Sequence, residues 1–113
     1  MIALERTTMD FRFESDLPLA GMKRALSVPG RHEWIFGDSE WHGDYLGGSI
    51  TAEAVARIYP TKRQTLFHVS LRFVTGTGEP HAEAKLREAE RALLDQVLPA
   101  IQARNAQPAE PLG

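Results

Sequence analysis

Two histidines and two aspartates, His32, Asp38, His42 and Asp44, stand close enough in the chain for one hairpin to gather them. Imidazole nitrogen and carboxylate oxygen form the donor set of zinc, iron and manganese sites, so these four are the candidate metal ligands. With such a metal, His42, Asp38 and Asp44 would serve a small metal-dependent hydrolase. Their spacing follows no established ligand pattern, and no H-E-x-x-H occurs. Read without a metal, the same residues are the polar surface of a solvated hairpin, one carboxylate accepting backbone amides in the turn. On that reading no cofactor is expected.

Other chemistry in this stretch is thinner. Asp38 or Glu40 beside His42 would make a general acid–base couple, since a carboxylate orients an imidazole and raises its basicity. Ser39 and Ser49 lack the G-x-S-x-G elbow that a serine nucleophile uses. The run GDYLGGS is neither G-x-x-x-x-G-K-[ST] nor G-x-G-x-x-G, so it predicts no phosphate cradle. No coherent catalytic set follows.

What the segment Arg31 to Gly48 does concentrate is aromatic and acidic side chains, including both tryptophans of the chain. Trp34, Trp41 and Tyr45 can fill a small core, because each ring buries about 150–250 Å². Left outside, they are the residue types that anchor interfaces. Asp38, Glu40 and Asp44 beside them would suit a basic or amphipathic partner. The candidate partner-binding set is therefore Trp34, Asp38, Glu40, Trp41, His42, Asp44 and Tyr45.

Positioning these residues falls to a simple series of elements. Met1 to Thr8 read as a flexible leader. From Met9 to Glu14, Met9, Phe11 and Phe13 alternate with Asp10, Arg12 and Glu14, the pattern of a half-buried strand. Ser15 or Asp16 then predicts the cap of a helix that tolerates Pro18 in its first turn, buries Leu19, Met22, Ala25 and Leu26, and stops near Val28 before Pro29. His32 to Phe36 predicts a strand, Gly37-Asp38 a two-residue turn with the glycine at positive φ, and Glu40 onward the return strand, with a bulge at Gly43 and a loosening at Gly47-Gly48. Residues 49–59 fit helix by alanine content and strand by alternation. The strand is favoured because a polar turn, Pro60 to Arg63, leads into the clearest strand in the chain, Thr65 to Val74. There Phe67, Val69, Leu71 and Phe73 should enter the core while His68, Ser70 and Arg72 meet solvent.

Glu79 and Pro80 open a second helix whose apolar face is Leu86, Leu93, Leu94, Val97, Leu98 and Ile101. Pro99 predicts a kink or an end near Val97. Residues 105–113 read as a flexible tail, leaving 9–104 as one domain. The fold class expected is α+β: an antiparallel sheet of about four strands, in the order β-α-β-β-β-α with room for an extra short strand, and two helices packed on one face. Its other face would be open.

Composition narrows the function classes. A chain of 113 residues with 42% hydrophobic and 25% charged residues is a globular domain of ordinary size. A net charge of −2 supplies no broad positive field, and Arg57, Lys62, Arg63, His68 and Arg72 are its only basic patch, so nucleic acid is not the expected partner. Without cysteine, disulfides and thiolate chemistry are excluded. No apolar run approaches a membrane span or a signal peptide, and the cytoplasm is the expected compartment. The expectation is a non-enzymatic binding or regulatory protein acting on a protein partner or on its own copy, as a homodimer.

Overall fold

Alternating side chains and backbone pairing assemble six antiparallel strands in the order β2-β3-β4-β5-β1-β6. The computed structural model describes residues 8–27, 33–39, 43–51, 54–73 and 83–110. In chain order these hold β1 (Thr8–Glu14), α1 (Leu19–Leu26), β2 (Trp34–Ser39), β3 (Gly43–Thr51), β4 (Ala54–Pro60), β5 (Leu66–Phe73), α2 (Glu83–Ala92), a π-helical turn (Leu93–Val97), α3 (Leu98–Ala100) and β6 (Arg104–Pro108). The α+β class is as expected. The count of about four strands was too low, and the order β-α-β-β-β-α gives way to β-α-β-β-β-β-α-β.

The low count has two physical sources. The segment 49–59 is extended, but β3 runs on to Thr51 and β4 starts at Ala54, so one alternating run contains two strands. β6 occupies residues expected to be tail. Every residue of RNAQP is exposed, so the strand has no apolar alternation to read, and its pairing with β1 is made by backbone.

One face of the sheet carries the core. Phe11 and Phe13 of β1, Leu46 of β3, Ala54, Ala56 and Ile58 of β4, and Phe67, Val69 and Leu71 of β5 are buried together with Met22 and Leu26 of α1. Ala89, Leu93, Val97, Leu98 and Ile101 of the C-terminal helical segment join the same cluster. The helices therefore cover one side of the sheet, and apolar burial there is the main stabilising term.

Helix ends depart from the sequence reading in two places. Pro18, not Ser15 or Asp16, stands at the N-terminal cap of α1, and no side chain caps it. Ser15 is instead buried, its Oγ donating to the Ile101 carbonyl at 2.7 Å and accepting from the Leu17 amide at 3.1 Å, which ties β1 to the end of α3. Of the kink or end expected near Val97, the end does not occur. The residues preceding Pro99 widen into a π turn in which the Leu98 amide bonds the Leu93 carbonyl, and the helix resumes to Ala100. A wider turn relieves the clash that a proline ring makes with the carbonyl four residues back.

Candidate functional site

The hairpin of β2 and β3 explains why glycines and aromatics are mixed in this stretch. Its register sets Trp34 opposite Gly48, Phe36 opposite Leu46, Gly37 opposite Tyr45, and Asp38 opposite Asp44. Trp34 lies across Gly48 so closely that a Cβ there would stand 2.5 Å from the indole Cδ2. On the other face a Cβ at Gly37 would run into the Tyr45 ring. Each aromatic thus occupies the space that a side chain on the facing strand would have filled, a cross-strand pairing that compensates the glycine.

This use of glycine corrects the expected turn. Gly37 and Asp38 are inside β2, and the strand continues to Ser39 before β3 begins at Gly43. Positive φ belongs to Gly43, at 77°, and not to Gly37. Gly47 and Gly48, expected as a loosening, are buried residues inside β3.

The fates of the candidate residues divide accordingly. Trp34 is 4% exposed and belongs to the core, so it presents no indole to a partner. Asp38 and Asp44 are exposed and directly opposed, and Tyr45 is half-buried. His32, Glu40, Trp41 and His42 lie outside the described residues. Of the four candidate metal ligands, the register thus brings two together, and among the described residues no group of three His, Asp or Glu side chains is placed to hold a metal.

The face opposite the helices, expected to be open, carries a polar and aromatic ladder in which Tyr59, His68 and Asp10 are buried. Tyr45 packs against Tyr59 with ring centroids 5.4 Å apart, and the Arg57 guanidinium sits 4.5 Å above the Tyr45 ring. Next in line, His68 Nε2 donates to Asp10 Oδ1 at 2.7 Å. The expectation that His68 meets solvent is corrected: it is 3% exposed and Asp10 8%. Alternation assigns a residue to a face but not to a neighbour, and this partner comes from a strand 58 positions away in the chain.

Sequence reasoning passed over the residues at the sheet's free edge. Among the described residues β2 is the outermost strand on its side, and Ile35 and Phe36 are 56% and 50% exposed. They are consecutive, so Ile35 points to the open face and Phe36 to the helix-covered face, where Lys23 Nζ lies 6.0 Å from the Phe36 ring centroid. The signal was present: Trp34-Ile35-Phe36 is apolar on both faces, which suits a strand covered on both sides rather than an edge. The opposite edge, β6, is blunted by Pro108, by Asn105 in the left-handed region at φ 53°, and by a register shift against β1 between Arg12 and Glu14. Side chains hold β6 down as well, Arg104 donating to Asp16 and Asn105 to Glu14. β2 has neither proline nor left-handed residue along its length.

No family model matches the chain, and no curated protein matches it. Among the described residues no helix is long and apolar enough to cross a membrane.

Proposed function

We infer that this protein is a non-enzymatic binding module that accepts an extended strand from another polypeptide along the free edge of β2. The observation that carries the reading is the pairing of an unblunted sheet edge with two large apolar side chains, Ile35 and Phe36, both at least half exposed. Strand addition supplies main-chain hydrogen bonds for affinity and side-chain contacts on both faces for selectivity. Here Ile35 would meet the incoming strand on the open face beside Tyr45, and Phe36 would meet it under α1. Glu33, Asp38 and Asp44 make the surroundings acidic, so a partner that brings a lysine or arginine beside its strand fits best.

Residues reserved for a partner contribute little to the isolated fold. The variant Ile35→Thr with Phe36→Thr keeps strand propensity and removes the apolar surface. Compared at dilution, its urea unfolding free energy should stay within about 1 kcal/mol of wild type, as for surface substitutions generally. A loss above about 2 kcal/mol would mean that both side chains are already packed in the single chain, and the reading would lose its basis.

The rival reading, a metal-dependent hydrolase, has one observation in its favour, the opposition of Asp38 and Asp44 in the hairpin register. Stoichiometric metal that disappears in a His42→Ala variant would favour it over binding.

A further inference from the structure

We propose that the strand received by β2 is β2 of a second copy of this chain, so that two sheets join edge to edge across a two-fold axis passing beside Phe36. The inference rests on the reading of β2 as a binding edge and names its occupant.

Geometry leaves few ways to do this. In an antiparallel pair, residues directly opposite share a face, so paired positions of two identical strands must differ by an even number. Setting Phe36 against Phe36 of the second copy places Ile35 opposite Gly37, Trp34 opposite Asp38 and Glu33 opposite Ser39. Moving the register two residues toward the hairpin end would instead set Phe36 against Asp38, Gly37 against Gly37 and Ile35 against Ser39, so that the one pairing of apolar side chains, Phe36 on Phe36, is lost. With Phe36 at the centre, the two phenyl rings cover each other on the helix side. On the open face, Ile35 of each copy meets the glycine over which Tyr45 lies in the other. A two-fold interface requires one patch to complement itself, and this one presents both the projecting Ile35 side chain and the Tyr45 ring, lying over Gly37, on which it would pack.

Charge points the same way. Within one chain Asp38 faces Asp44, and like charges directly opposite across a strand pair are destabilising. Lys23 sits over Phe36, so when the two Phe36 residues meet, Lys23 of each copy comes beside Asp38 of the other. The cation and the carboxylate pair are thus complementary twice over, and each substitution at this interface acts in both halves.

Sedimentation equilibrium of the full chain tests the proposal. Wild type should dimerise, and Phe36→Glu should weaken the dimer by roughly a hundredfold or more while the far-ultraviolet spectrum stays native. Lys23→Glu and Asp38→Lys should each weaken it by roughly tenfold, because each creates two like-charge contacts. Combining Lys23→Glu with Asp38→Lys should restore association. A wild type that stays monomeric overturns the choice of occupant and leaves the β2 reading standing. A dimer indifferent to Phe36→Glu overturns both. Association lost in Phe36→Glu but not recovered in the charge exchange overturns the register.

Discussion

Replacing His68 with leucine should lower the unfolding free energy by about 3–5 kcal/mol, the range for removing one partner of a buried ion pair or charged hydrogen bond. His68 and Asp10 are joined at 2.7 Å and both are buried on the face of the sheet opposite the helices. Leucine fills most of the volume of the imidazole, so the loss would come from the Asp10 carboxylate, stranded away from water without its donor. Asp10→Leu leaves the imidazole unpaired and should cost less, about 1–3 kcal/mol. Both substitutions together remove the pair and the stranded charge at once, and the double variant should return close to wild type or above it. Urea unfolding with an unchanged m-value checks all three. A His68→Leu variant within about 1 kcal/mol of wild type would mean that Asp10 reaches water in solution.

Gly48→Val should be the second severe substitution. The facing strand already uses the space above Gly48, since a Cβ would stand within 2.8 Å of the Trp34 Cγ and Cε2. The added isopropyl group must move either β3 or the indole. Overpacking a core costs about 1–3 kcal/mol, and expelling Trp34 approaches the 3–5 kcal/mol of truncating a buried aromatic. Trp34→Ala alone should fall in that upper range. In the Trp34→Ala background the valine meets open space in a strand interior, where its propensity exceeds that of glycine, and its cost should drop below about 1 kcal/mol. The double-mutant cycle isolates the contact, and additive costs would show that ring and glycine do not share the site.

These two sites also mark what the sequence could and could not say. Alternation identified β1, the strand at Thr65 to Val74 and the core faces of both, because one buried side imposes a period of two. It placed Met22, Leu26, Leu93, Val97 and Ile101 inside by the helical period. It did not reveal β6, whose backbone pairs with β1 while all its side chains remain exposed. Nor did it reveal that Asp10 and His68 are partners, since pairing between distant strands leaves no trace in either segment alone.

The hairpin was legible in kind and wrong in register. Gly37-Asp38 resembles a two-residue turn, and a glycine inside a strand is uncommon enough that the turn was the better local choice. Tyr45 settles the matter by needing the vacant position beneath its ring. Moving the turn beyond Ser39 lengthens β2 and sets Ile35 and Phe36 on the outer edge. The candidate interaction surface consequently shifts from Trp34 to this aliphatic and phenyl pair.

Amide hydrogen exchange along β2, followed as a function of protein concentration, tests the central claim most directly. In an edge strand every second amide points away from its neighbour and exchanges quickly. If β2 takes up the strand of a second copy, those outward amides should become protected as concentration rises, with β6 at the other edge unchanged. Outward β2 amides that exchange equally fast in dilute and concentrated samples, or protection that grows on β6 instead, would contradict the account.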